Sequence, residues 1–422
     1  MRLVTDLSKG VLGQADSVVM WGDIISHIPD SVLLKPNVRI LCVACGHGTT
    51  AIVLAKRMLA LGISKEAVND SLILLDKYIH FTNFVKSKGF KNVITADFLT
   101  WKTDMKFDVV VGNPPYQDGT RDDQANKLWP LFVNKSYKLL NNNGYIAMIT
   151  PNGWMQPTAD IGKGTGVNAL SIFNDIFKEN NLILANIDSE LIREKYFKGV
   201  GSTFSYYVMQ KCLYSGTTEF ITSTGSIYVD ISTINSLPKI TSKESLSVVK
   251  KMVGKPFLFV DQNHGLGGLE NAEAGTYNAE KKNKNGSISK NTTYTHKIYH
   301  TNKDGGTYWH SEKLNPYATK PKVIISLSGT YLPVYDNTAG FSNMCLALIC
   351  STDSEAVRAQ TILSSKLFRF WVEMQKFSGF NPRKLILTLP KVDLTRAWTD
   401  AELYAHFNLT QEEIDYIEAN VK

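Results

Sequence analysis

Nowhere in its 422 residues does the chain carry the ~18 consecutive apolar residues that a membrane-crossing helix requires. Its start, MRLVTDLSKG, is followed by none of the apolar core of a secretory signal. Cysteine is scarce and odd in number, with Cys42, Cys45, Cys212, Cys345 and Cys350 spread along the chain. Such a set does not make a disulfide framework, and it fits a reducing, cytoplasmic interior with no membrane partner. Cys42 and Cys45 form a CxxC, yet no second pair of cysteines or histidines follows at zinc-site spacing. Redox or metal use of that pair is therefore not expected, and no metal is predicted. No internal repeat is evident.

What is present is ordinary globular material, 43% hydrophobic and 20% charged, enough for two or three domains. The net charge of +7 is unevenly placed. Residues 1–235 carry 23 Lys+Arg against 21 Asp+Glu, residues 236–395 carry 21 against 12, and residues 396–422 carry 2 against 6. The middle-to-late segment is thus +9 and the tail −4, which points to a module facing a polyanion.

Across the first 215 residues, short apolar runs alternate with helix-like stretches. Strands are expected at Val38–Val43, Leu72–Leu75, Val93–Thr95, Phe107–Val111, Tyr145–Thr150, Leu182–Ile187 and Phe204–Met209. Helices are expected over Thr50–Leu61 and Leu128–Leu140, with a break at Asn141–Gly144. That alternation predicts an α/β fold with a parallel, doubly wound sheet and helices on both faces. Beyond about residue 215 the text changes, and Gln262–Gly306 is long, polar and rich in Gly and Asn. Compact sequence returns at Lys322–Leu327, Met344–Cys350, a helical Ala359–Gln375 and Leu385–Leu389. The tail reads as two short helices with caps at Thr399 and Thr410. The domain boundaries predicted are 1–235, 236–395 and 396–422.

Four features carry chemistry. In Ala44-Cys45-Gly46-His47-Gly48, glycines follow the first strand, so the backbone can approach a nucleotide-like ligand while the next helix offers its N-terminus to a carboxylate. The spacing is too short for a dinucleotide fingerprint. Asp76 ends the second run, either as an acceptor for two ribose hydroxyls or as a solvated strand-end aspartate. Asp97-Phe98 closes the third, where a carboxylate can take an N–H from an adenine amino group and a ring can stack on the base. The strongest signal is Asn113-Pro114-Pro115-Tyr116, directly after a buried strand. Two prolines stiffen the turn and remove two donors. Asn113 Oδ1 and the Pro114 carbonyl can then accept both N–H bonds of a conjugated amino nitrogen, drawing it toward a tetrahedral shape and freeing its lone pair. Tyr116 offers a flat face to hold the acceptor in line.

Together these motifs, with ACGHG at 44–48, LLD at 74–76, ADF at 96–98 and NPPY at 113–116, resemble the gamma group of DNA N6-adenine methyltransferases, of the TaqI type. The resemblance covers residues 38–210. It implies a Rossmann-like methyltransferase sheet followed by an α+β target-recognition domain, and S-adenosyl-L-methionine as cofactor. Ala44, Cys45, Gly46, Gly48, Asp76, Asp97 and Phe98 are then cofactor-binding, and Asn113, Pro114, Pro115 and Tyr116 catalytic. The family also carries a downstream aromatic that packs on the flipped base, for which Phe197 is the candidate and Tyr196 the second. Two positions depart from the family pattern. Cys42 stands where an acidic residue is common, and Ala15-Asp16 stands where Thr-Pro is common, so Asp16 is the candidate for holding the methionine amino group.

An adenine stacked in a duplex must be flipped out to reach such a pocket. The expected partner is double-stranded DNA, gripped through the basic segment, with Lys281, Lys282, Lys284 and Lys290 as candidate phosphate contacts, while Arg383 and Lys384 stand in a segment that resembles one recurring late in related enzymes. The protein is expected to be cytoplasmic, in a bacterial host or encoded by its phage, and a monomer or weak dimer. It is also expected to lack a fused nuclease, since the glycine turn begins at residue 46. RNA adenine methyltransferases and glutamine methyltransferases of release factors use the same motif, the latter on shorter chains without a large basic domain. A binding protein on a decayed scaffold is disfavoured by the intact motif.

Overall fold

The computed structural model describes residues 14–116, 127–155, 171–188, 192, 204–222, 225–234, 237–239, 242–252, 254–261, 279–281, 296–302, 307–311, 314–376, 381 and 383–421. The chain forms two compact units, Met1–Ser236 and Leu237–Lys422.

The first unit is built on nine strands: β1 (Ile40–Val43), β2 (Leu72–Asp76), β3 (Asn92–Thr95), β4 (Phe107–Gly112), β5 (Leu140–Pro151), β6 (Asn181–Asn186), β7 (Phe204–Gln210), β8 (Thr218–Thr222) and β9 (Gly225–Val229). Their order is β3-β2-β1-β4-β5-β7-β6-β8-β9. The first five are parallel, whereas β7 lies antiparallel between β5 and β6. The expected parallel sheet is therefore mixed beyond β5. Helices α1 (Gln14–Ser26), α2 (Asp30–Leu33), α3 (Thr49–Ala60), α4 (Lys65–Ser71), α5 (Ile79–Ser87) and α6 (Trp129–Leu139) accompany it. Continuous apolar runs such as Val109–Val111 are fully buried, as expected for strands covered on both faces. One core cluster joins α1 and α3 to β1, β2, β4, β5 and β7. The expected break at Asn141–Gly144 is absorbed instead into the start of β5, with Asn143 in the left-handed region (φ 63°) and a register shift against β4.

The second unit is α+β, with two four-stranded sheets. One has the order β10 (Phe259–Val260), β17 (Cys345–Ile349), β14 (Lys322–Ser326), β15 (Pro333–Asp336). The other runs β11 (Ala279–Lys281), β13 (Thr307–Ser311), β12 (His296–Thr301), β16 (Gly340–Phe341). The helical stretch read as Ala359–Gln375 is two helices, Asp353–Leu363 and Lys366–Met374, because Ser365 caps the second through its side chain. The acidic tail forms helices Asp400–His406 and Gln411–Asn420, each opened by a capping box, Thr399 with Glu402 and Thr410 with Glu413. Leu403, Tyr404, Phe407 and Ile417 place both in this unit's core.

Candidate active site

Parallel strands direct their C-terminal ends to one edge of the sheet, and the order reverses between β1 and β4. Such a switch point opens a crevice for a ligand. After β1 the backbone turns through Ala44 (φ 48°), Gly46 (φ 49°) and Gly48 (φ 78°) before α3 begins. Gly48 needs to be glycine on two counts, because a methyl group there would also lie 2.8 Å from Val85 Cγ1. The turn is tied to β2. Cys45 N–H donates to the Leu75 carbonyl (3.0 Å) and Gly46 N–H to Asp76 Oδ2 (2.9 Å). Asp76 Oδ1 accepts from Tyr78 N–H (2.9 Å), so this buried carboxylate buttresses the glycine turn while each oxygen keeps a second lone pair. The first turn of α3 holds no acidic residue, which leaves its N–H groups available to an anion. Burial, reinforced by the Asp76 charge, pushes the Cys45 thiol up to about 12, and burial raises that of Cys42 as well. Both stay neutral free thiols, unsuited to redox exchange.

At the end of β3, Asp97 Oδ1 accepts from Leu99 N–H (3.0 Å), and Oδ2 pairs with the exposed Lys77 ammonium (3.1 Å). Phe98 does not present an open face. Its ring is buried 5.1 Å from that of Phe132 on α6, with the Lys135 ammonium 5.1 Å over its centroid. Lys135 in turn donates to the Leu99 and Trp101 carbonyls, and burial lowers its pKa. Aromatic surface at this edge comes instead from residues the motif reading passed over. Tyr78 is 56% exposed two positions after Asp76, and His47 meets Phe81 and Phe84 edge-on at 4.9 and 5.2 Å. A tyrosine so close to the strand-end aspartate was the available signal.

Gly112 ends β4 in register with Val43, which sets the two turns side by side. A methyl group at Gly112 would lie 2.6 Å from Val43 Cγ2 and closer still to the Val43 carbonyl oxygen, so this approach requires glycine. The Asn113 side chain is exposed and Pro114 is buried. The Tyr116 hydroxyl donates to Asn113 Oδ1 at 3.0 Å, and its ring packs on Phe204, the first residue of β7, at 5.2 Å. Burial raises the Tyr116 pKa far above the ordinary phenol value, so the hydroxyl stays protonated and remains a donor. At the neighbouring end of β5, Asn152 has a buried Oδ1 without a hydrogen-bond partner among the described residues. No motif flagged it. Asp16 lies in α1 with its side chain outside the described residues, as are Phe197 and Tyr196 altogether. Among the described residues no cluster of His, Cys, Asp and Glu could hold a metal.

In the second unit, Lys282, Lys284 and Lys290 lie outside the described residues, as do the side chains of Lys281 and Lys384. Arg383 is an internal strut. It pairs with the buried Asp261 carboxylate and donates to the Asn343 carbonyl at 2.8 Å. Its guanidinium is thereby committed inside the unit.

Residues 48–182 match the family described as Eco57I restriction-modification methylase. Type II methyltransferase M.CvrRI from Paramecium bursaria Chlorella virus XZ-6E is 33% identical over 116 residues, covering 24% of this chain and 29% of that protein. The match thus spans less than a third of the curated relative. Among solved structures, a nuclease-deletion mutant of the Type ISP restriction-modification enzyme LlaGI, in complex with a DNA substrate mimic, superposes with a TM-score of 0.53 at 12% identity. It covers 98% of this chain and 46% of that one. The Type IIL restriction-modification enzyme MmeI, in complex with DNA, gives 0.52 at 8% identity over 88% and 65%. At those identities the likeness is one of fold.

Proposed function

We propose that the chain is an S-adenosylmethionine-dependent DNA methyltransferase of the restriction-modification kind, and that it acts on N6 of an adenine flipped out of the duplex. The observation that carries this reading is the juxtaposition, across the Val43–Gly112 register, of a glycine turn braced by Asp76 and an Asn-Pro-Pro-Tyr turn. The match to the restriction-modification methylase family over residues 48–182 supports it, since that span includes Asp76, Asp97 and the whole of Asn113–Tyr116.

The residues fit the cofactor. Gly46 leaves open space at the end of β1, α3 offers unneutralised N–H groups to a carboxylate, Asp76 retains lone pairs for ribose hydroxyls and Asp97 retains lone pairs that would accept from an adenine amino group. When bound, S-adenosylmethionine supplies an electrophilic methyl group. Asn113 Oδ1 and the Pro114 carbonyl accept the two N–H bonds of the target amino group, which localises the lone pair on nitrogen. Tyr116 then holds the base by its ring, and the surplus proton leaves to solvent after the N–C bond has formed. Lys77, now on Asp97, yields that carboxylate at little cost, because an exposed ion pair contributes about 0–1 kcal/mol. The basic second unit grips phosphates, and sequence is read from base edges.

The test is transfer of labelled methyl groups to unmethylated duplex DNA, single-stranded DNA, RNA and a release factor, with product analysis. N6-methyladenine from DNA is the expected product, and label on protein or RNA alone would refute the reading. Asn113→Ala should reduce transfer at least a hundredfold (about 2.7 kcal/mol or more in the barrier) while cofactor affinity, by calorimetry, stays within about twofold. Lost cofactor binding would instead give Asn113 a structural role.

A further inference from the structure

We infer that the Tyr116 hydroxyl is a positioning group, which fixes the Asn113 side-chain amide with its oxygen presented as acceptor. The inference rests on the reading of Asn113–Tyr116 as the amino-group site and assigns a role to the hydroxyl apart from the ring. Asn113 is exposed, and an asparagine amide offers two nearly equal ends, one a donor and the other an acceptor. Turned the wrong way, it would set its own N–H against the N–H of the target amino group, which abolishes the hydrogen bond that frees the lone pair. The hydroxyl three residues on donates to Oδ1 at 3.0 Å. Its ring is seated on Phe204 at 5.2 Å, at the point where β7 pairs with the end of β5, so the donor is anchored to the sheet rather than to the turn alone. Asn113 Oδ1 has two lone pairs. One is used by Tyr116, and the other remains for the substrate, so the amide is oriented before the base arrives.

Tyr116→Phe tests this, because it keeps the ring and its contact with Phe204 and deletes only the hydroxyl. A lost orienting hydrogen bond should lower kcat about tenfold. The KM for DNA and the affinity for S-adenosylmethionine should stay within about twofold, and fluorescence of 2-aminopurine at the target position should report flipping as in the parent. An unchanged kcat would overturn the inference, as would a rise in KM with kcat intact. The Asn113 side-chain amide, assigned in a nitrogen-15 spectrum by its disappearance in Asn113→Ala, gives a readout independent of substrate. Loss of the hydrogen bond accepted by Oδ1 should move the Nδ2 nitrogen and proton resonances in Tyr116→Phe, and unchanged shifts would show that the hydroxyl does not hold the amide. If the parent enzyme methylates something other than adenine, the functional reading fails while the amide measurement still decides the hydroxyl's role.

Discussion

Between β1 and β4 there is no room for a side chain at Gly112, and that single omission lets the two turns stand side by side. Gly112→Ala has to push Val43 aside through a strand that is buried on both faces, where overpacking costs about 1–3 kcal/mol. The urea midpoint should fall correspondingly, and transfer should fall with it even under conditions where the variant is folded. A variant with the parent's midpoint and full activity would show that the strands can part freely. The motif reading singled out the four residues after Gly112 but not Gly112 itself. A glycine before a turn can serve that turn or its neighbouring strand, and only the register against Val43 tells which. Phe98 shows the converse. An aromatic beside Asp97 is visible in the sequence, whereas its burial against Phe132 depends on where α6 packs. Asp76 was legible as a strand-end carboxylate, but its bonds to Gly46 and Tyr78 depend on the folded turn.

Strands β1 to β7 and helices α3 and α6 were readable, because covered strands are nearly continuous apolar runs, whereas α1, α4, α5, β8 and β9 were not read. The direction of β7 was not, since Phe204–Gln210 buries the same side chains whichever way it runs. The split of the helical stretch near Ser364-Ser365 was missed for a related reason: its apolar period continues across the break, and only the Ser365 cap interrupts the backbone. Arg383 opens a short helix, Arg383–Leu387, and ties it to Asp261 at the end of β10 and to the Asn343 carbonyl before β17. Removing it leaves the Asp261 carboxylate buried without that cation, so Arg383→Ala should destabilise the second unit by about 3 kcal/mol. Arg383→Lys restores charge but not the fork that reaches two partners, and should recover only part of the loss. Thermal unfolding of the two variants checks both. Weakened DNA affinity at unchanged stability would instead place Arg383 in contact with DNA.

At the scale of the whole chain, charge is divided by task. The second unit nets +5, the +9 of residues 236–395 less the −4 of the tail. The tail's acids are spent on folding: Glu402 and Glu413 close capping boxes, Glu413 also pairs with Lys251 at 2.8 Å, and Glu418 pairs with Lys366. The positive excess is not spent on these contacts. If the partner is duplex DNA, each phosphate contact releases counterions, and log K should fall with log salt at a slope of about −0.9 per contact. Lys281, Lys282 and Lys284 crowd one short stretch of this unit. Replacing all three by Ala should flatten the slope by up to about 2.7 and weaken specific and non-specific duplexes alike. Cofactor affinity, a property of the first unit, should not change. A salt slope unaltered by the triple substitution would remove these lysines from the interface. A slope near zero in the parent would remove the polyanion, and with it the reason for placing the +9 in one segment.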